Sequence, residues 1–371
     1  MTALMAAMLL AAPSVALWEL RSEIRDETAG GFLQAEPSIA YTPGLDDLTA
    51  SLKYQPRFLL AEPGTDPKSL YLHRGSAEIG WRADPGTLLS LRQNFQYGRD
   101  DYSWMTQLAD SPTPNFGAVP IQSPLLLMQS STFAAVQERL SKRLELQATG
   151  GWQVSGGANA DARATVPLAH SANGVVSAVW TPSTDRISVT ASATHTRVLQ
   201  NATNSSPATL LEGSYFAGHA DWTHTMKSLE LGGSIGIGRA FGSLQTQWLP
   251  TGSVSLRTLP AAAGQRRFGG ELVASLVPSV DPFTGTLIER VIGTAALKTV
   301  LTRDLSVSAG GGAARDTNGT FSSITQWQGF FNVSNALGSK AAVFAGVRAV
   351  SEPSRQWAMV IGFNASRKDV F

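Results

Sequence analysis

Polar and apolar side chains alternate along the segment LTASLKYQPRFLL, residues 48–60, and this alternation restricts the possible fold more than any other feature of the sequence. Its even positions, from Leu48 to Leu60, are apolar or amphipathic, whereas its odd positions from Thr49 to Arg57 are polar and include Lys53. Because successive side chains of a β-strand point to opposite faces, the segment is predicted to be a long strand with one apolar and one charged face. How often the pattern recurs then decides among the β folds.

The same two-residue period recurs along nearly the whole chain after residue 16, most clearly in residues 17–27, 143–154, 186–196 and 356–365. Helical spacing explains none of these segments. Clusters of turn-forming residues separate many of them, as in residues 83–86. We count about 18 strands, and 16 if the two weakest segments, 131–140 and 251–259, are left out; an even number is expected of a bacterial single-chain barrel.

The length of the strands favours a membrane barrel over a soluble β fold. Roughly 20 residues separate successive strands, more than the 8 to 12 of a sandwich, and strands of about 10 to 15 residues suit a tilted bilayer crossing. A propeller would show a recurring blade motif, and we find none. Aromatic residues near strand ends on the apolar face are typical of interfacial girdles; they are Trp18, Tyr41, Tyr54, Phe95, Tyr97, Trp152, Trp180, Trp222 and Trp357. The predicted fold is all-β, a transmembrane antiparallel up-and-down barrel.

The composition agrees with this prediction and excludes several kinds of site. Only 15% of the residues are charged, against about 25% in soluble domains. The 29 basic and 28 acidic residues leave no net field that would attract nucleic acid, so no nucleic-acid partner is expected. Cysteine is absent, which excludes disulfides, thiol nucleophiles and Cys-ligated metals. We expect neither a cofactor nor a metal site.

The first 16 residues are almost wholly apolar and end in Ser14, Val15 and Ala16, a small-x-small pattern that suits signal peptidase. Residues 1–16 are therefore predicted to be a signal peptide and residues 17–371 the barrel, although an ordinary buried helix is the alternative for the first segment. No other segment approaches the roughly 18 consecutive apolar residues of a spanning helix. Because the first predicted strand follows residue 16 directly, we expect no plug domain.

An export segment, an even set of alternating strands, short turns on one side and a terminal Phe371 together resemble the bacterial outer-membrane porins. The resemblance implies an outer-membrane location and passive diffusion of small hydrophilic solutes, with membrane lipid and those solutes as partners. Porins often form trimers, and outward Gly and Ala residues in segments 286–299 and 304–314 make a homotrimer one option. A barrel of 16 to 18 strands leaves an aqueous channel unless something fills it.

The longest connection is predicted at residues 100–130. If residue 17 lies on the periplasmic side, the tight turns also lie there and this connection becomes the third external loop. The resemblance implies that it folds into the lumen and sets the aperture. Its apolar residues, such as Trp104 and Leu108, would then be buried against the inner wall; an outward cap or a partner-binding loop is the alternative.

The polar strand faces predict a charged lumen. Five basic residues fall on neighbouring strands, and acidic residues on the same wall or on the long loop could oppose them, an arrangement that filters permeant molecules by charge. The candidate pore-lining residues are Lys53, Arg57, Arg74, Arg82, Arg92, Glu78, Asp101 and Asp110. A purely structural role is the alternative, with the basic residues paired to Glu19, Glu23, Glu36, Glu78 or Glu145. Elsewhere, inward glycines such as Gly238 and Gly310 are expected to leave room for water or for the loop.

The sequence offers little support for catalysis. His219 and Asp221 share the predicted inner face of one strand, and a serine could lie nearby. The glycine-rich run from Gly232 to Gly238 includes a Gly-x-Ser-x-Gly sequence, but no helix pattern follows it, so it is not a nucleophile elbow. His195 falls on the outward face near a rim, where interfacial solvation accounts for it. The protein is predicted not to be an enzyme. The alternatives to an open channel are a sealed barrel that acts as a rim lipid hydrolase and one that sheathes a partner protein.

Overall fold

Each strand pairs antiparallel with its neighbours in the chain, and the last strand pairs with the first along most of its length, so the sheet closes into a ring. The computed structural model describes residues 14–27, 30–43, 48–61, 70–100, 125–200, 209–242, 247–258, 268–280, 287–317, 325–338, 340–350 and 356–370. Closure satisfies the backbone hydrogen bonds of every barrel strand within the sheet, as a membrane interior requires.

The strands are β1 (Ser14–Glu27), β2 (Gly30–Pro43), β3 (Leu48–Tyr54), β4 (Arg57–Ala61), β5 (Leu70–Arg82), β6 (Thr87–Asp100), β7 (Leu125–Arg139), β8 (Leu144–Gly157), β9 (Leu168–Trp180), β10 (Asp185–Gln200), β11 (Thr209–Thr225), β12 (Leu229–Gly242), β13 (Trp248–Thr258), β14 (Phe268–Val280), β15 (Leu287–Val300), β16 (Leu305–Asp316), β17 (Thr325–Ala336), β18 (Ala341–Val350) and β19 (Gln356–Val370). A short helix, α1 (Ala160–Thr165), lies between β8 and β9.

Strands β3 and β4 are two segments of one barrel strand. The pairing with β2 continues in one register across the break, since Ile39 lies opposite Tyr54 and Ala35 lies opposite Phe58. Pro56 lies at the break and has no N–H to donate to the ladder. The 19 segments therefore form 18 barrel strands, which confirms the predicted fold class and the higher of the two predicted strand numbers. The two segments that the sequence supported least lie in β7 and β13.

The connections alternate between the two ends of the barrel. One end, here the tight-turn end, carries connections such as residues 83–86, where the Asp84 carboxylate accepts hydrogen bonds from the N–H groups of Gly86 (2.7 Å) and Thr87 (2.9 Å). The other end, here the long-connection end, includes the segment between β6 and β7. Side-chain acceptors of this kind satisfy the backbone of a tight reversal, which is why the turn-forming clusters were readable in the sequence.

Two predicted boundaries differ from the structure. Strand β1 begins at Ser14, so residues 14–16, which were assigned to the export segment, pair with both β2 and β19. Strand β7 begins at Leu125, so residues 125–130 belong to a strand and the predicted end of the long connection at residue 130 is wrong. Residues 1–13, residues 101–124 and Phe371 lie outside the described residues. The predicted inward fold of the long connection concerns residues 101–124 and stays a prediction.

Helix α1 lies against the ends of β7 and β8. The Asn159 side chain caps it by accepting from the Ala162 N–H (2.9 Å), and Ala162 and Val166 are buried. The Arg163 side chain donates to the Gly157 carbonyl (3.0 Å) and ties the helix to β8. Among the described residues, no helix is long and apolar enough to cross a membrane.

The alternation in the sequence separates the two faces of the sheet as predicted. Large apolar side chains on the outer face are exposed, for example Leu52, Val176, Ile235 and Ile361, and polar side chains fill most of the inner face. Most of the apolar side chains that are buried on the inner face lie near the long-connection end, where Leu59 and Leu70 form a small cluster. This distribution is the one expected when lipid surrounds a barrel.

Candidate functional site

Three of the predicted pore-lining residues meet on the inner wall formed by β3 to β6. Lys53, Arg74 and Arg92 line one depression of about 310 Å³ together with the polar side chains of Gln55, Ser76, Asn94, Gln96, Gln129 and Ser131. The register explains the assembly, because Lys53 lies opposite Ser76 and Arg74 lies opposite Gln96. The two-residue period puts all of these side chains on one face.

Glu36 neutralises one of the three cations. Its carboxylate lies 3.1 Å from the Arg74 guanidinium and accepts a hydrogen bond from the Gln55 amide (3.4 Å). The Glu36 side chain is buried, whereas that of Arg74 is 30% exposed to the lumen. The structural alternative raised by the sequence therefore holds for this pair.

Lys53 and Arg92 differ from Arg74 in their partners. Among the described residues, neither has a carboxylate within 4.0 Å; Arg92 donates instead to the neutral Asn94 side chain (3.3 Å). Two positive charges therefore remain on this part of the wall, close to neutral amides and hydroxyls.

The other predicted site residues lie elsewhere. Arg57 is 6% exposed and is buried beside Leu59, Leu70 and Leu72, so the structure does not bring it into the depression. Glu78 and Arg82 are exposed on β5 toward the tight-turn end, and Glu78 lies opposite Arg92 in the register. Asp101 and Asp110 lie outside the described residues.

The inward glycines do not leave the room that the sequence predicted. A Cβ atom at Gly238 would lie 2.2 to 2.5 Å from the Tyr215 ring, and one at Gly310 would lie 2.7 to 2.8 Å from the Phe330 ring. An aromatic ring from a neighbouring strand therefore packs against each of these glycines. Space freed by a missing side chain is taken up because close packing gains dispersion contacts.

A buried ion pair near the long-connection end was not predicted. Arg290 on β15 lies opposite Asp316 on β16 and contacts both of its carboxylate oxygens, at 2.6 and 3.1 Å. The two residues are 9% and 4% exposed. The sequence shows both residues as ordinary inward polar positions, and only the register brings them together.

On the outer face, aromatic side chains form two girdles. Exposed rings near the tight-turn end are those of Trp81, Trp180, Trp222 and Phe268, and those near the long-connection end are Tyr71, Trp152, Trp248, Trp327 and Trp357. Tyr71 and Trp81 are ten residues apart on β5, which corresponds to about 33 Å of strand and about 25 Å along the axis at a tilt near 40°. This spacing matches the apolar band of an outer-membrane barrel.

A polar cluster interrupts the outer face near the long-connection end, and we name it the rim cluster. It consists of His195 and Arg197 on β10 with Glu212 and Ser214 on β11. His195 Nδ1 lies 2.9 Å from the Ser214 hydroxyl, and its Nε2 lies 3.1 Å from the Glu212 carboxylate. The same carboxylate accepts from Arg197 at 3.0 Å. The sequence placed His195 on this face, but its partners come from the next strand.

The inner pair His219 and Asp221 is not arranged for nucleophilic catalysis. His219 Nε2 lies 3.5 Å from Asp221, and the nearby serine, Ser188, donates to that same carboxylate (3.0 Å). The hydroxyl therefore reaches the acid and not the imidazole, so it gains no general base. Across the described part of the chain, no group of three or more His, Asp or Glu side chains could hold a metal ion.

The sequence matches no protein-family model and no curated protein sequence. The fold does have solved relatives. OpdK of Pseudomonas aeruginosa superimposes with a TM-score of 0.54 at 11% identity, over 96% of this chain and 99% of OpdK. The siderophore receptor PirA of Pseudomonas aeruginosa gives 0.55 at 7% identity, over 95% and 80%. The copper transporter OprC gives 0.50 at 12% identity, over 92% of this chain but only 61% of OprC.

At these identities the comparisons bear on the fold. The chain has the fold of the outer-membrane β-barrels of Gram-negative bacteria, as predicted, and the predicted outer-membrane location follows from that fold. None of the three relatives is named as an enzyme, which is consistent with the prediction for this chain.

Proposed function

We propose that the protein is an outer-membrane channel through which small hydrophilic solutes diffuse passively. The observation that carries the proposal is the polar depression on the inner wall of a closed 18-strand barrel, with Lys53, Arg74 and Arg92 on its surface. Barrels of this size enclose a water-filled lumen unless another segment fills it. The relatives support transport in general terms, since they include a copper transporter, a siderophore receptor and OpdK, whose structure was solved with vanillate.

The charges on the wall favour anions. Glu36 offsets Arg74, so the field in the depression comes mainly from Lys53 and Arg92. A ring or patch of basic side chains raises the local concentration of anions and excludes cations from a narrow pore. Arg57, which is buried beside leucines, is not part of this selectivity patch.

The long connection completes the proposed channel. Residues 101–124 carry apolar side chains such as Trp104 and Leu108 that suit burial better than exposure to water. Folded inward, the segment sets the aperture opposite the basic wall. The proposal is for a single barrel, because nothing in the comparisons supports the homotrimer that the resemblance suggested.

Single-channel recording in a planar bilayer tests the selectivity patch. The wild type is expected to give stable current steps with an anion preference, and Lys53→Ala/Arg92→Ala is expected to lose most of that preference. Lys298→Ala is the matched control, because Lys298 is an exposed inward lysine on β15, outside the depression. Equal loss of preference in the control would place the selectivity elsewhere, and silence in all variants would reject the open channel.

A deletion of residues 104–124 tests the aperture separately. If this segment narrows the lumen, the deletion raises the step size and leaves the sign of the ion preference unchanged, since Lys53 and Arg92 remain. Unchanged steps would show that the segment lies outside the conduction path.

A further inference from the structure

A groove crosses the outer face of the barrel at mid-height, on strands β6 to β11. Its volume is about 750 Å³, and most of its lining is apolar, with Phe216 at one side and Leu89 at the other. The floor is low because small residues face outward at successive positions, including Gly150, Gly174 and Ala193. The groove lies between the two aromatic girdles, so the hydrocarbon of the membrane surrounds it.

The rim cluster lies directly above this groove. The register places Gly174, Ala193 and Phe216 in one row, and Ala172, His195 and Ser214 in the next outward row toward the long-connection end. In that direction the apolar surface therefore changes to His195 and Ser214 in one outward step of the ladder, and to Arg197 and Glu212 in the second. Trp152 belongs to the same row as His195, so the cluster lies at the level of the girdle.

A further cation flanks the groove wall. Arg239 on β12 lies opposite Phe216, and its guanidinium stacks 4.9 Å from the Phe241 ring and 5.0 Å from the Trp248 ring. Its Nε is buried and has no hydrogen-bond partner among the described residues. Two aromatic contacts fix the plane of the guanidinium, and because its Nε is buried, an outside acceptor would reach it through the terminal N–H groups.

Charges at this position constrain what surrounds them. A lipid-facing Arg costs about 2 to 4 kcal/mol at the bilayer midplane and about 0 to 1 near the interface, so the rim cluster is favourable only at headgroup depth. Arg197 and Arg239 against Glu212 leave one net positive charge. The surface is thus cationic and rich in donors above, and apolar and concave below.

We infer that this outer face binds a phosphate-bearing acyl lipid. The phosphate lies between Arg239 and the rim cluster, and one acyl chain lies in the groove. The arrangement fits such a lipid because the headgroup of the lipid is joined directly to its acyl chains. On the barrel, the polar row of His195 likewise lies directly beside the apolar row of Ala193. Guanidinium groups favour phosphate oxygens over neutral acceptors. The site is independent of the proposed channel, which uses the opposite face of the sheet.

A larger side chain in the groove tests whether an acyl chain binds there. A Cβ atom at Gly174 meets nothing within 4 Å, so Gly174→Leu occupies the groove without a clash. Gly293→Leu is the matched control, since Gly293 on β15 also faces outward, also meets nothing within 4 Å and lies far from the groove. Detergent-solubilised barrels are titrated with dioleoyl phosphatidylglycerol and bound lipids are counted by native mass spectrometry, after heat-modified gel migration has confirmed folding.

The wild type and Gly293→Leu are expected to bind one phosphatidylglycerol tightly. Gly174→Leu is expected to weaken that binding about tenfold, which corresponds to the loss of about two methylene contacts. In the charge variant Arg197→Gln/Arg239→Gln, phosphatidylglycerol is expected to weaken by about tenfold while dioleoylglycerol, which lacks the phosphate, binds as to the wild type.

Three results would overturn the inference. Equal affinity in Gly174→Leu and Gly293→Leu would show that the groove holds no acyl chain. A dimer mass in the wild type that Gly174→Leu abolishes would assign the groove to a second copy of the chain. Release of fatty acid from the bound lipid by the wild type, but not by Ser214→Ala, would make Ser214, His195 and Glu212 a hydrolytic site and not a binding site.

Discussion

Two parts of the inner wall use opposite means to present a polar surface to the lumen. The charged wall, formed by β3 to β6, carries long side chains that reach into the lumen; Arg74, for example, is held by an ion pair with Glu36 and a hydrogen bond to the Gln55 carbonyl oxygen. The glycine wall, formed by β11, β12 and β15 to β17, has short side chains, and rings from neighbouring strands cover its glycines. Its main charge pair, Arg290 with Asp316, is buried.

The difference shows that a residue's face in the barrel does not determine its role. Inward arginines occur on both walls, yet Arg74 remains partly exposed and can act on a solute, whereas Arg290 is enclosed with its partner. An exposed charge can act on a solute that approaches it through water, whereas a charge that is buried with its partner mainly affects stability. Four experiments test whether the two walls differ in this way.

The largest effect is expected from Asp316→Asn on the glycine wall. The substitution keeps the size of the side chain but leaves the Arg290 charge without its bidentate carboxylate in a buried position. Removing one partner of a buried ion pair costs about 3 to 5 kcal/mol of unfolding free energy. Urea unfolding in lipid vesicles measures the change. A loss below about 1 kcal/mol would show that water solvates Arg290 and that the two walls do not differ in this respect.

A smaller effect is expected from Gly310→Ala, also on the glycine wall. A Cβ atom there lies 2.7 Å from the Phe330 ring and 2.8 Å from the Ala295 carbonyl oxygen, and the carbonyl belongs to backbone that cannot move aside. Overpacking of this kind costs about 1 to 3 kcal/mol. Gly293→Ala is the control, because its Cβ meets nothing within 4 Å. Equal stability of the two variants in the same urea titration would show that the Phe330 ring does not pack closely against Gly310.

Glu36→Gln on the charged wall is expected to cost about 1 kcal/mol, because Arg74 is partly exposed and water can replace part of the lost interaction. Its functional effect is expected to be larger than its effect on stability. Removal of the carboxylate adds one net positive charge to the depression, so the anion preference of the single-channel current should rise. An unchanged preference together with a stability loss as large as that of Asp316→Asn would reverse the assignment of the two walls.

The sequence predicted the faces of the barrel well because the two-residue period determines which side chains point outward. It predicted about 18 strands, with 16 as the fallback, and the inward position of Lys53, Arg74 and Arg92. Of the girdle rings it named Trp152, Trp180, Trp222 and Trp357, but not Tyr71, Trp81, Trp248, Phe268 and Trp327. It missed the start of β7, where Leu125 to Met128 do not alternate, because Leu127 faces inward and is buried. An apolar inward position interrupts the pattern on which the prediction rests.

Side-chain contacts between strands could not be predicted from the sequence, because they depend on the register of strand pairing. Ser214 and Glu212 reach His195 only because β10 and β11 pair with Ser214 opposite His195. The same holds for Arg290 and Asp316. Burial was equally hidden in the sequence: Arg57 continues the alternation of Lys53, but it is buried beside Leu59, Leu70 and Leu72, whereas Lys53 lines the polar depression. A period assigns faces, whereas register and neighbours decide which inward charges meet.

The smallest effect concerns one tight turn in each wall, at the tight-turn end of the barrel. In residues 83–86 of the charged wall, the Thr87 hydroxyl and then the Gly86 N–H lower the pKa of Asp84 from its usual value of 3.8. A lowered pKa stabilises the turn above the unfolded value, and this contribution is lost as the pH falls through the folded value. In residues 301–304 of the glycine wall, the acceptor is the Thr302 hydroxyl, which accepts from the Leu305 N–H (3.1 Å) and does not titrate.

The amide NMR shifts of Gly86 and Thr87 are therefore expected to stay constant from pH 7 to about pH 4 and to move below it, whereas those of Leu305 stay constant throughout. Asp84→Asn is expected to remove the change at Gly86 and Thr87, because the amide oxygen accepts the same hydrogen bonds at every pH. A shift that persists in Asp84→Asn, or one of equal size at Leu305, would mean that acid acts on the whole barrel. The turn of the charged wall would then not be distinguished by its carboxylate.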